Sequence, residues 1–137
     1  MSLPRIPDTE FQSRIQKTVE LVRASDLYAL IVHSNEADYA NVRYLSDYWP
    51  IFEAAGVAVF PNGQVSLLIG PESETFARNR TKIPSVRLMV EYREPAEPDY
   101  PGIPVETFRE IFAKAGAGTP RRIGLAGWAV FPLPVYL

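Results

Sequence analysis

Apolar positions along the chain change their spacing from segment to segment, and those changes predict its elements. Phe11, Ile15, Val19 and Val22 recur three or four residues apart, which at 3.6 residues per turn forms one stripe. Arg14, Gln16, Lys17, Glu20 and Arg23 fill the other positions. The pattern predicts an amphipathic helix running to about Ala24, with Asp8 or Thr9 as its cap. Leu27 to Val32 is a short, almost unbroken apolar run, as expected of a strand covered on both faces. Ser34 to Asp38 is polar and loop-like, and Tyr39 to Leu45 predicts a short helix with Asp38 as cap. A helix followed by a buried strand points to an α/β layer structure.

The clearest local signal is a β-hairpin over residues 56–69. Gly56 to Phe60 and Gln64 to Ile69 are strand-like runs joined by Pro61-Asn62-Gly63, and Asn-Gly supplies the positive φ angles of tight hairpin turns. Gly70-Pro71 ends the second strand. Glu72 to Arg80 reads as a helix with acidic residues in its first turn and Arg78 and Arg80 in its last, a polarity that suits the helix dipole. Val86 to Tyr92 reads as a strand. Pro95, Pro98, Pro101 and Pro104 then interrupt regular structure. Pro104 fits the first turn of a further helix, with Val105, Phe108, Ile111, Phe112 and Ala115 as its buried stripe and Lys114 and Gly116 at its end. Ile123 to Ala126 reads as a last short strand, and Phe131 to Leu137 is an apolar run in progress at the final residue.

Composition fits one soluble domain: 137 residues, 47% hydrophobic and 22% charged. A net charge of −2 without a basic block argues against nucleic acid or an anionic membrane as partner. No apolar run approaches the roughly 20 residues of a membrane helix, and the first residues lack the apolar stretch of a signal peptide, so a cytoplasmic location is expected. The absence of cysteine excludes a disulfide framework, a thiolate metal site and a cysteine nucleophile. A single histidine, His33, excludes any site that needs two imidazoles from this chain.

Few residues form a recognisable chemical constellation. There is no Gly-x-Gly-x-x-Gly after a strand, no P-loop and no Gly-x-Ser-x-Gly elbow. His33, followed by Ser34, closes a strand, a favoured place for functional groups in α/β folds, though a lone histidine there more often contacts a loop. Glu91, Glu94, Glu97 and Asp99 lie around the proline-rich stretch, while Glu72 and Glu74 open a helix; a solvated surface accounts for both groups. The most unusual segment is Tyr44 to Phe52, where Tyr44, Tyr48, Trp49 and Phe52 put four aromatics within nine residues. Such residues either cover a core or line a binding surface.

In order along the chain, these elements resemble the N-terminal domain shared by creatinase, prolidase and aminopeptidase P. The resemblance is carried by Arg14-Ile15 and Val19 in the first helix, the strand Tyr28-Ala29-Leu30-Ile31-Val32, and Asn41-Val42-Arg43-Tyr44-Leu45-Ser46-Asp47-Tyr48, which is similar to that family's Asn-Ile-x-Tyr-Leu-Thr-Gly-Phe signature. The hairpin at Asn62-Gly63, the helix with Glu74-Thr75-Phe76-Ala77, and Arg122-Ile123-Gly124-Leu125-Ala126-Gly127 complete it. Asp47 departs from the glycine of the pattern; because Asp tolerates positive φ less often, a different local turn is expected there.

The resemblance implies a three-layer α/β/α domain with a mixed sheet, spanning residues 1–137 and stopping before its last helix. It implies a non-catalytic domain, with no catalytic and no metal-ligating residue in this chain. Two divalent ions, Mn, Co or Zn, are expected in a separate C-terminal domain if the parent is a peptidase. That parent would be a metallo-aminopeptidase or dipeptidase acting on Xaa-Pro bonds, or a creatinase-like amidinohydrolase. The implied partners are the chain's own catalytic domain and a neighbouring subunit of a homo-oligomer, with Tyr48, Trp49, Phe52 and Glu53 as candidates to line the active-site mouth. The other reading of the residues is a free-standing α/β module that binds a small ligand or a protein without catalysis.

Overall fold

The computed structural model describes residues 5–51, 53–93, 102–115 and 121–127. Helix α1 covers Asp8–Ala24, strand β1 Ala29–Ser34, helix α2 Ala40–Ser46, strands β2 and β3 Ala55–Val59 and Val65–Ile69, helix α3 Glu74–Arg80, strand β4 Val86–Leu88, helix α4 Phe108–Lys114 and strand β5 Ile123–Ala126. Among the described residues the strands form one sheet in the order β4-β3-β2-β1-β5. β1, β2 and β3 pair antiparallel, whereas β4 joins β3 and β5 joins β1 in parallel.

Strand alternation divides the core in two. Val32, Val57, Val59, Leu67, Ile69 and Leu88 face one side, where they meet Val19 and Val22 of α1, Val42 and Leu45 of α2, and Ala77 of α3. Ala29, Ile31, Ala58 and Leu68 face the other, with Ile111 of α4 and with Phe60, Met89, Tyr92 and Ala115. Helices thus cover both faces, giving the three-layer α/β/α arrangement with a mixed sheet. Val22 is fully buried, and burying a side chain of this kind contributes about 1.5–3 kcal/mol.

The hairpin forms where its sequence places it. Gly63 adopts φ +92°, its N–H donates to Phe60 O at 3.0 Å, and Asn62 Oδ1 accepts from Gln64 N at 3.0 Å. Other boundaries differ from the sequence pattern. Pro7 stands at the N-cap of α1 and no side chain caps it. β1 begins two residues after Leu27, because Asp26 turns with φ 52° and Leu27 N still donates to Val22 O; the strand instead runs on through His33 and Ser34, paired with Gly56 and Ala55. Asp38 does not cap α2; Ser34 Oγ accepts from Val42 N at 3.0 Å, inside its first turn.

The stretch before α3 is a 3-10 turn, Pro71–Ser73. β4 ends at Leu88, after which Met89 bridges to Glu106 and Val90–Tyr92 forms another 3-10 turn. α4 starts after Thr107 and not at Pro104, because Thr107 and Glu110 form a capping box that satisfies the exposed N–H groups of that end. Pro95, Pro98, Pro101, Glu94, Glu97, Asp99, Gly116 and the run from Phe131 to Leu137 lie outside the described residues.

Gly56 is required by close approach. A Cβ there would stand 2.9 Å from Tyr92 Cζ and 3.1 Å from Val32 O, and would also strike the phenol oxygen. Gly56→Ala is expected to lower stability by about 1–3 kcal/mol through overpacking. The loss should shrink in a Tyr92→Phe background, which removes the nearest clashing atom. Urea denaturation of the two single variants and the double variant measures both effects.

Candidate functional site

The register places Ser34, Ala55, Ile69 and Leu88 side by side at one end of the sheet. This end carries the carboxyl ends of β1, β3, β4 and β5, where α/β sheets bring loops together around ligands. The aromatic segment enters there, between α2 and β2.

Its path is fixed at Asp47, which ends α2 in the left-handed conformation with φ 58° and ψ 6°. The turn that glycine would favour is therefore present with aspartate in it, contrary to the expectation of a different turn. Arg80 holds it: Nε donates to Asp47 O at 3.1 Å and Nη2 meets Oδ1 at 3.2 Å. Lys82 N donates to Ser46 O at 2.7 Å, and Ser46 Oγ, itself donating to Val42 O, accepts from Tyr48 N at 3.1 Å.

The candidate mouth residues divide by depth. Tyr48 is fully buried, with its ring 5.6 Å from Phe76, and burial pushes its phenol pKa upward. Trp49 is half-buried. It meets Phe76 edge-on at 5.7 Å, and the guanidinium carbons of Arg43 and Arg80 lie 4.8 Å and 4.6 Å from an indole ring centroid. Ile51 is 42% exposed. Phe52 lies outside the described residues. Glu53 is half-buried and reaches the sheet end, where a Cβ on Gly70 would stand 2.8 Å from its Oε2 and 2.5 Å from Tyr92 O, and would also meet Glu72. Gly70 thus makes room for carboxylates beside the backbone.

His33 stacks on Tyr92 with ring centroids 5.8 Å apart and 26° between planes. Burial lowers its pKa, with Asp38 acting the other way, and burial raises the Tyr92 phenol. Consecutive strand residues point to opposite faces. Ser34 turns to α2, where it binds Val42 N, while His33 lies against Tyr92 on the α4 side, so the two do not form a nucleophile–base pair. Among the described residues no group of three or more His, Cys, Asp or Glu side chains is placed to hold a metal ion. A di-metal centre therefore does not fit these residues. Likewise, no helix among them is long and apolar enough to cross a membrane.

The sequence profile of the creatinase/prolidase N-terminal domain matches residues 14–136. The chain belongs to the creatinase/prolidase N-terminal domain family. A comparison with curated proteins gives no match. The fold is similar to the prolidase from Pyrococcus horikoshii OT3, at 18% identity and TM-score 0.51, covering 90% of this chain and 27% of that one. It is also similar to the N-terminal domain of the cytoplasmic peptidase PepQ from Mycobacterium tuberculosis H37Rv, at 19% identity and TM-score 0.51, covering 85% and 94%. An aminopeptidase P (Xaa-Pro aminopeptidase) from Streptococcus thermophilus gives 14% identity, TM-score 0.50, and coverage of 86% and 93%. The chain spans about a quarter of the length of the Pyrococcus prolidase.

Within this family domain, the sequence located the aromatic segment but not its cationic neighbours. Arg43 occupies the variable position of the Asn-Val-Arg-Tyr-Leu motif, and its spacing of four from Tyr39, over whose ring it also lies, was the one local hint. Arg80 reaches Trp49 only through the tertiary fold.

Asp47→Ala keeps a Cβ at positive φ and loses the Arg80 contact, whereas Asp47→Gly relieves the backbone. The alanine variant should be less stable than the glycine variant by about 1–2 kcal/mol, read from urea midpoints. His33 has a folded pKa below its unfolded value of 6.5, so the unfolded chain binds more protons as pH falls through that value. Its contribution is complete above pH 6.5 and diminishes toward the lower folded pKa. The urea midpoint should fall between pH 7.5 and 5.5, and fall less in His33→Phe, which keeps a ring against Tyr92.

Proposed function

We propose that this chain serves as the non-catalytic N-terminal domain of a metal-dependent hydrolase of the Xaa-Pro peptidase type, where it makes subunit contacts and lines the mouth of the active site. The match of the family profile over residues 14–136 is the observation that carries this reading. The similarity to a prolidase, PepQ and an aminopeptidase P supports a peptidase as the parent, with a cytoplasmic location like that named for PepQ. The divalent ions, Mn, Co or Zn, belong in this reading to a separate catalytic domain and not to any residue described above.

The contribution of this domain is shape and polarity at the mouth. Trp49, half-buried and held among Arg43, Arg80 and Phe76, offers a rigid aromatic surface to a proline ring or another small ring. Phe52 belongs to the same segment. Tyr48, fully buried, packs on the same Phe76 ring that Trp49 meets. Glu53, at the sheet end beside Gly70, is the group that would meet a substrate ammonium or a positioning arginine.

In the enzyme that carries this domain, Trp49→Ala and Phe52→Ala should each raise KM for an Xaa-Pro dipeptide by roughly tenfold, or about 1.4 kcal/mol of lost binding, while leaving the metal content unchanged. Unaltered kinetics in both variants would remove the proposed role at the mouth. Xaa-Pro cleavage by residues 1–137 alone would remove the non-catalytic reading itself.

A further inference from the structure

A cleft lies where the ends of α2 and α3 approach the residues leading into α1. Its volume is about 380 Å³, within the range of small-ligand pockets. Arg5, Arg43, Arg80 and Lys82 line it together with Asn79, and among the described residues Asp47 is the one carboxylate in the lining. This concentration of positive charge stands on a chain whose net charge is −2.

Part of that charge has structural work. Helix C-termini attract cations, and Arg80 donates to the carbonyl of Asp47 as well as to its carboxylate. Lys82 Nζ pairs with Asp8 at 2.8 Å, but that carboxylate is 72% exposed and screened by solvent. Arg43 also stands in the last turn of α2, but neither Arg43 nor Arg5 forms an ion pair among the described residues. Arg43 lies over the rings of Trp49 and Tyr39, at 4.8 Å and 5.9 Å. An aromatic face holds a guanidinium in place without neutralising it or occupying its N–H donors, which remain available to an oxyanion. Trp49 also packs against Arg80, at 4.6 Å, whose Nε and Nη2 are engaged by Asp47.

We infer that this cleft binds a small ligand bearing a multivalent oxyanion, a phosphoryl or polycarboxylate group, held chiefly by Arg43 and Arg80 on Trp49. Arg5 and Lys82 complete the positive rim, and Asn79 supplies a neutral polar group. The preordered guanidiniums lower the entropy lost on binding, and planar N–H pairs suit carboxylate and phosphoryl oxygens alike. Asp47 sets the selectivity: it keeps Arg80 in place and repels a ligand that presses too far toward the end of α2. This inference does not depend on the peptidase reading, since it rests on the cleft and its charges alone.

Calorimetric titration of the 137-residue chain with pyrophosphate and, separately, with citrate tests it, in a low-salt buffer free of other multivalent anions. One of the two should bind at one site per chain with Kd below about 1 mM, weakening as salt is added. Preference for pyrophosphate assigns a phosphoryl ligand, and preference for citrate a carboxylate ligand. Arg43→Gln should weaken binding at least tenfold. Arg14→Gln, at a guanidinium that instead lies over Phe11 and Tyr44, should leave it unchanged. Arg80→Gln should resemble Arg43→Gln if it folds; because Arg80 also supports α2, Arg43→Gln is the deciding variant. A Kd of about 1 mM or weaker for both anions, or equal binding by Arg43→Gln and Arg14→Gln, would overturn the inference.

Discussion

Strand β2 is enclosed on every side, and the rest of the domain follows from satisfying it. All five of its residues are buried, with β1 on one edge and β3 on the other. Each backbone N–H and C=O in such a strand needs a partner from the sheet, and each side chain needs an apolar partner from a helix. Small residues meet the tightest demands. Ala55, Gly56 and Ala58 let helices and the Tyr92 ring come close, while Val57 and Val59 fill the face toward α1 and α2.

The same constraint explains which features could be read from sequence. Unbroken apolar runs and the Asn-Gly turn report burial and local backbone geometry, so the hairpin, α1 and the α/β layering were legible. Boundaries that depend on a partner were not. Leu27 is as apolar as the strand it precedes, yet the pairing of β1 with β2 and a left-handed Asp26 exclude it. Val90 to Tyr92 looks like more strand until the bridge between Met89 and Glu106 ends the pairing. The start of α4 was legible in principle: Thr107 and Glu110 have capping-box spacing, and that signal outweighs the helix-opening preference of Pro104 because it satisfies two backbone donors.

The candidate site shows the same division. Clustered aromatics marked the segment after α2, and its unusual composition is a property of neighbours in sequence. What gives the segment its character is not. Arg80 fixes the left-handed Asp47 and also lies over Trp49, so one side chain from another helix decides both the path of the chain and the charge around the indole. The family signature carries glycine where this chain has aspartate, and the Arg80 contact offers a physical reason the substitution is tolerated: the carboxylate gains a partner that glycine would lack.

The pairing of β1 with β5 has a consequence for how the domain is made. Ala29 lies beside Ile123, so residues 30–122 separate two neighbouring positions of the sheet. On the ribosome, β1 can associate early with the hairpin that follows it, but its other edge stays open until Ala126 has emerged. That open edge is a ready template for pairing with another nascent chain. Long-range parallel closure of this kind is also slow. Of the described strands, the one that closes the sheet next to β1 is therefore synthesised after all the others, and the interval before it arrives is when these strands are most exposed to misassembly.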